Sequence, residues 1–137
     1  MNDKSLKYSE ETSKIIGCCM KVHSALGRGF PEIYYQRALA IEFEENEVLF
    51  EREYEMPVYY YEVPIGTRRV DFLVYEKIAL ELKATSELDD SHLAQALNYL
   101  QVQNLEVGLL INFGSKSLQF KRLINHTYKN NTWIDSL

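Results

Sequence analysis

Two short runs decide how this chain folds: Arg69-Val70-Asp71-Phe72-Leu73-Val74 and, just after it, Ile78-Ala79-Leu80-Glu81-Leu82-Lys83. Both alternate with a period of two, which predicts strands. As an antiparallel hairpin turning around Glu76, they set Val74 opposite Ile78, Phe72 opposite Leu80 and Val70 opposite Leu82, three apolar pairs on one face. The other face pairs Leu73 with Ala79, Asp71 with Glu81 and Arg69 with Lys83. A slip of one residue would place charges among apolar partners, so this register is favoured.

The register sets two carboxylates opposite each other, with Cβ atoms about 5 Å apart. Leu73 and Ala79 suggest partial burial of that face, where like charges repel and one pKa should rise unless a cation lies between them. A divalent metal removes the conflict, with Asp71 and Glu81 as oxygen ligands of Mg²⁺ or Mn²⁺. Lys83, two residues beyond Glu81, points to the same side, where it could hold a phosphate oxygen or orient a water. The plain alternative is a solvated trio with Lys83 bridging the acids. The apolar residues on both strands, Leu80 and Leu82 especially, weigh against it.

Working outward, Ile15, Cys18, Cys19, Val22 and Leu26 form one apolar stripe of a helix over roughly Ser9–Leu26, closed by Gly27 and Gly29. A second helix opens at Pro31 and runs to about Glu45, with Tyr35, Leu39 and Phe43 spaced by four. Phe50–Tyr60 reads as a half-exposed strand, and Pro57 within it points to a sheet edge or bulge. Pro64–Gly66 reads as a turn, and strands are expected over Gly66–Tyr75 and Lys77–Ala84. Ser86–Asp89 resembles a capping box before a helix to about Gln103, with Leu93, Leu97 and Leu100 inward. Glu106–Phe113 reads as a buried strand and Leu118–Ile124 as a last one. The order ααβββαββ is that of a single α/β or α+β domain filling residues 1–137, with no linker or repeat.

Composition narrows the partners. The longest apolar run, Val107–Phe113, is far short of the 20 or so residues of a membrane span, and Met1–Ser9 carries lysines with no apolar stretch behind them. The two cysteines, Cys18 and Cys19, are adjacent and cannot staple distant segments, so a reducing, cytoplasmic compartment is expected. Net charge is −5. Seven glutamates against one arginine give Glu42–Glu55 a local −6, which leaves +1 for the rest of the chain. A near-neutral body with one acidic edge can still present a local basic surface.

Asp71 followed by Glu81-Leu82-Lys83, on adjacent strands behind a helix, resembles the PD-(D/E)XK nuclease superfamily. Gly29-Phe30-Pro31-Glu32-Ile33-Tyr34-Tyr35 resembles the motif of its GxxExxY family, and the likeness spans about Ile16–Asn125. It implies a restriction-endonuclease-like core, a mixed central sheet flanked by helices, and metal-dependent cleavage of phosphodiester bonds. By position, Asp71 and Glu81 would be metal ligands and Lys83 the catalytic lysine. Glu32 looks like an additional acidic ligand, and Gln95-Ala96-Leu97-Asn98-Tyr99 resembles a QxxxY motif, giving Gln95 and Tyr99 catalytic roles. Val70 stands where the nominal proline would be.

Each of these residues has a structural alternative. Glu32 shares a helix face with Tyr35 and Leu39, so it should point inward, yet it could simply cap backbone amides. Gln95 and Tyr99 form a polar stripe with His92, distinct from the leucines; hydrogen bonding on a helix surface would explain it equally, and for His92 that reading is favoured. Tyr59, Tyr60 and Tyr61 could stack on bases, though ordinary strand packing is the commoner role. Arg68, Arg69, Lys83, Lys121 and Arg122 are the candidates for a phosphate-facing surface, with Arg69 alternatively paired to Glu53 or Glu55.

The expectation is therefore a small Mg²⁺-dependent nuclease (Mn²⁺ serving equally), DNA preferred to RNA on the resemblance alone. The rival is a binding module or subunit of the same fold, docking a basic protein partner through the acidic 42–55 surface. An enzyme acting on a small phosphorylated substrate is not separated by sequence. So small a domain has little surface for long DNA, which is compatible with a homodimer.

Overall fold

The computed structural model describes residues 7–130; residues 1–6, with part of the lysine-bearing start, and 131–137 lie outside them. Helices α1 (Ser9–Leu26) and α2 (Glu32–Glu45) precede strands β1 (Phe50–Tyr60), β2 (Val63–Val74) and β3 (Ile78–Lys83). Helix α3 (Asp90–Gln103) then leads to β4 (Val107–Asn112) and β5 (Gln119–Ile124). The five strands form one sheet in the order β1-β2-β3-β4-β5. β3 and β4 run parallel, joined by the α3 crossover, and every other pair is antiparallel. This is the expected α/β architecture: a mixed sheet with helices on both faces.

The two faces bury different amounts. On one, the α1 stripe Ile15, Cys18, Cys19 and Val22 and the α2 residues Tyr35, Leu39 and Phe43 pack on Phe72, Val74, Ile78, Leu80, Leu82, Leu109, Ile111 and Phe113. On the other, α3 covers a smaller cluster of Val70, Leu73, Ala79, Tyr99 and Leu100. β4 is buried along its whole length, so its apolar run is continuous rather than alternating. Both cysteines are free and buried. Among the described residues, no helix is long and apolar enough to cross a membrane.

The β2–β3 register is the expected one: Phe72 pairs with Leu80, Leu73 with Ala79 and Val74 with Ile78. The ladder stops there, so the expected pairs Asp71–Glu81, Val70–Leu82 and Arg69–Lys83 do not form. Its end coincides with an irregularity in β2. The β1–β2 ladder passes from Arg52–Phe72 to Tyr54–Val70 without pairing Glu53 and Asp71, and Glu53 has φ 50°. The alternation breaks at this step, which puts Val70 with Leu73 under α3 rather than beside Phe72.

Two local signals shift position. Pro64–Gly66 is not a turn: these residues continue β2 opposite β1, and the chain reverses at Tyr61-Glu62, with φ 46° and 64°. The register slip at Val58/Tyr59 lies opposite Pro64 and accommodates a residue with no N–H to donate. Pro57 lies on β1, the edge strand. The cap of α3 is Asp89, whose Oδ1 accepts the His92 N–H at 3.0 Å while His92 Nδ1 accepts the Asp89 N–H at 3.2 Å. Ser86 cannot serve because the segment before the helix is bound elsewhere: Asn112 Oδ1 takes the Thr85 N–H and Gln119 Oε1 takes the Leu88 N–H.

Candidate active site

The site forms where β2 leaves β3. Released from the ladder, Asp71 turns its carboxylate onto the neighbouring strand, and Oδ2 accepts the Leu82 N–H at 2.7 Å. In return, the Asp71 backbone N–H approaches the Glu81 carboxylate. The two acids thus converge on one fork. Burial drives both carboxyls upward. For Glu81, burial followed by the charge of Asp71 lifts the pKa to about 8, with Lys83 pulling the other way. Asp71 rises too, against the Leu82 N–H and the Lys83 charge, which favour its ionised form.

Lys83 and Glu81 line a cavity of about 510 Å³ between the sheet and α3, together with Arg68, Arg69, Gln95 and Asn98. Among the described residues, neither Lys83 nor the two acids enters an ion pair within 4.0 Å. The expected bridging of the acids by Lys83 is thus absent at contact distance. Arg69 likewise takes no acid: the Glu55 carboxylate accepts the Thr67 hydroxyl, and the Arg69 charge instead favours ionised Asp71. Arg68 bends across to α3, donating to the Asn98 side chain and to the Gln95 carbonyl at 3.3 Å.

From the other side α2 supplies Glu32 and Gln36. The loop before it is fixed by the run 29–35: Gly29 has φ 113°, and the Tyr35 hydroxyl donates to the Gly27 carbonyl at 2.6 Å and accepts the Phe30 N–H at 3.2 Å. Tyr35 also stacks on Phe113, with ring centroids 4.7 Å apart. These contacts start α2 at Glu32, toward the fork. Glu32 keeps solvent access rather than turning inward, while local burial and then the charge of Asp71 still push its carboxyl up. It does not close into a three-acid cluster; among the described residues no three His, Cys, Asp or Glu groups are placed to hold a metal. Gln36, one turn on, is buried, and its Nε2 donates to Asp71 Oδ1 at 3.3 Å. Its Oε1 accepts from Arg52 Nε at 3.3 Å and Nη2 at 2.7 Å.

The remaining candidates divide. Gln95 is exposed on the cavity wall, and His92 both caps α3 and lines the cavity. Tyr99 is not on a polar stripe. It is a core residue, 1% exposed, while Leu93 and Leu97 are only half-buried, because the inward face of α3 is centred on Ala96, Tyr99 and Leu100. Its buried hydroxyl has no hydrogen-bond partner among the described residues, and burial together with the Glu81 charge pushes its pKa to about 12. Lys121 is exposed opposite Leu110, a cavity residue. Arg122 separates from the set: it projects to the α1 face, where Nη1 donates to Thr12 Oγ1 at 2.8 Å.

Gln36, Arg52 and Asn98 were not anticipated. Gln36 carried a usable signal, lying four residues after Glu32 on the same helix face. Arg52 was the single cation among seven glutamates in Glu42–Glu55.

The family model for the PD-(D/E)XK nuclease superfamily matches residues 9–123. The chain belongs to that superfamily. Comparison with curated proteins and with solved structures gives no match. PD-(D/E)XK nucleases cleave phosphodiester bonds and generally use divalent metal ions. The donor set of this member fits such an ion: two hard carboxylates at one fork, both disfavoured as anions by burial and Glu81 further by the charge of Asp71, beside an open cavity. Mg²⁺ is commonly held by one or two carboxylates with water completing its shell.

Proposed function

We propose that this chain is a metal-dependent nuclease of the GxxExxY family that cuts DNA. Asp71 and Glu81 hold Mg²⁺ or Mn²⁺, and Glu32 reaches that ion from α2 through its outer shell. The single observation that carries this reading is the fork, where Asp71 and Glu81 converge beside Lys83, which among the described residues makes no ion pair within 4.0 Å. Burying two repelling carboxylates with no cation at contact distance destabilises the empty fold, and a divalent ion reverses that cost. When bound, the ion would supply a water more acidic than bulk water and positive charge facing the phosphate.

The other residues act on the substrate. Lys83, in no ion pair within 4.0 Å among the described residues, is available to a phosphate oxygen, where its ammonium stabilises the charge that develops during cleavage. Arg69, Arg68 and Lys121 hold flanking phosphates at the cavity, with Arg68 already oriented by Asn98. Gln95 contacts substrate from the cavity wall.

The test is incubation of the protein with plasmid, single-stranded DNA and structured RNA, each in Mg²⁺, Mn²⁺ or EDTA, beside Glu81→Ala. Cutting of DNA is expected with either metal, absent in EDTA and lowered on the order of 10³-fold by Glu81→Ala, about 4 kcal/mol of barrier. Cutting that survives Glu81→Ala overturns the assignment. No cutting, together with no calorimetric metal binding, would leave the same fold acting as a binding module through its acidic 42–55 edge.

A further inference from the structure

The β1–β2 ladder runs from Phe50–Val74 out to Tyr60–Val63, whereas β2 is held by β3 only over Phe72–Val74. Residues 54–70 therefore leave the five-stranded sheet as a two-stranded arm. At its base, Tyr54 packs against the α3 cluster and Arg68 is tied to Asn98. Beyond that the arm carries Tyr59, Tyr60, Tyr61, Val63 and Ile65, all more than half exposed, with Tyr61 at 86%. The close packing expected of these tyrosines is not found: all three are more than half exposed, and Tyr60 and Tyr61 lie ring against ring with centroids 4.8 Å apart. Tyr61 also occupies the left-handed region at φ 46°, where glycine or asparagine is favoured. Nothing in the fold requires a large aromatic side chain there.

We propose that this arm is a stacking platform for single-stranded nucleic acid leading into the fork, a reading that rests on the nuclease function proposed above. β2 connects the two places directly. Arg69, whose charge is felt by Asp71, stands at the arm's base, and eight residues of ribbon separate it from Tyr61, roughly 25 Å at the rise of a strand. Arginine at the cleft and aromatic rings further out are what a sequence-tolerant single-strand track needs, because every base has a π face and every phosphate a charge. The arm itself is neutral, its two arginines balanced by Glu55 and Glu62, so its contribution is stacking rather than ion release. A second copy of the chain is the poorer occupant. Five exposed side chains fall well short of the 20–30 residues a side of a standard interface, and Pro57 interrupts the free edge of β1 to a new strand.

The experiment is fluorescence anisotropy in EDTA, so that binding is read without cutting, with single-stranded and duplex DNA and single-stranded RNA. The protein is compared with the triple variant Tyr59→Ala, Tyr60→Ala, Tyr61→Ala and with the corresponding triple Tyr→Phe variant. Single-strand affinity is expected to fall at least about tenfold in the alanine variant and to survive in the phenylalanine one. The factor should be the same at about 50 mM and about 200 mM salt, because stacking releases no counterions, and duplex binding should be unchanged. Unchanged single-strand affinity overturns the proposal, as does equal loss for duplex. So does sedimentation showing a dimer that the alanine variant dissolves, which would assign the arm to a second copy. The two readings fail separately: binding with no cutting in Mg²⁺ sinks the nuclease, while cutting with wild-type single-strand affinity in the variant sinks the arm.

Discussion

The two faces of this sheet are built from different chemistry. Beneath α1 and α2, Ile15, Cys19, Tyr35, Leu39, Phe43, Phe72, Leu80, Leu82 and Phe113 are wholly removed from solvent in one cluster. Beneath α3 the buried cluster has only five members, and the rest of that face opens into a cavity lined by arginines, Glu81, Lys83 and amides. The closed face supplies the apolar burial that stabilises the fold. The open face carries groups that lower stability, two converging acids and an orphaned tyrosine hydroxyl. A marginally stable domain tolerates such groups only where a well-packed layer on the same strands offsets them.

The strongest way to break this comparison is to weaken the closed face. Phe72 packs edge-on to Phe43 and Phe50, with centroids 5.3 and 5.6 Å away. Phe72→Ala should cost about 3–5 kcal/mol by urea denaturation. Leu97→Ala, half-buried on α3, should cost clearly less. Equal losses would mean that both faces carry the fold alike.

A second test sharpens the contrast through pH. Glu81 titrates near 4.5 when free and about 8 when folded. The folded chain then binds more protons than the unfolded one between those values, so stability present below about 4.5 is lost as pH rises through 8. Asp71 and Glu32 shift in the same direction. Stability should fall by a few kcal/mol over that window, on the order of 1.4 kcal/mol per pH unit at its steepest. Glu81→Gln should flatten the slope in thermal melts. Mg²⁺ should raise the melting temperature more at pH 8 than at pH 5, because protons compete for the same oxygens, and should do so little in the variant. A slope that Glu81→Gln leaves intact would place the burden on other groups.

The closed face was also the more legible one. Helical stripes such as Ile15-Cys18-Cys19-Val22 follow a fixed period, and the Phe72–Leu80 register follows from pairing like with like. The open face depends on where regularity fails. Alternation could place Asp71 opposite Glu81, but not the break at Glu53 and Asp71 that ends the ladder, sends Val70 to α3 and frees the Asp71 carboxylate to take a backbone N–H. Gln36 could be placed beside Glu32 by helix spacing, but its contact with Arg52 joins α2 to β1, and no local spacing encodes that. Arg122 shows the reverse case. Its neighbour Lys121 is one residue away, and strand alternation alone divides them between the two faces.

The smallest predicted effect asks whether the closed side reaches the open one. The Gln36 amide has two ends, and in isolation either could face Asp71. Arg52 removes that freedom: its Nε and Nη2 both donate to Oε1, so the NH₂ must point to Asp71 Oδ1. With Leu82 N–H on Oδ2, the carboxylate is held from both sides before any ion arrives. Lysine at position 52 keeps the charge but not the planar fork, and the amide can then turn its oxygen toward Asp71. Arg52→Lys should weaken Mn²⁺ binding, followed by the free-ion EPR signal, about tenfold or roughly 1.4 kcal/mol, as loss of an outer partner of a metal ligand does. Stability without metal should change by less than about 1 kcal/mol, because Arg52 is itself exposed. Gln36→Leu, which cannot donate at all, should lose as much affinity without dependence on residue 52, so the double variant should be no worse than Gln36→Leu alone. Additive losses would mean that Arg52 acts on the site by charge and not by orienting Gln36, and that the two faces meet only at Asp71 itself.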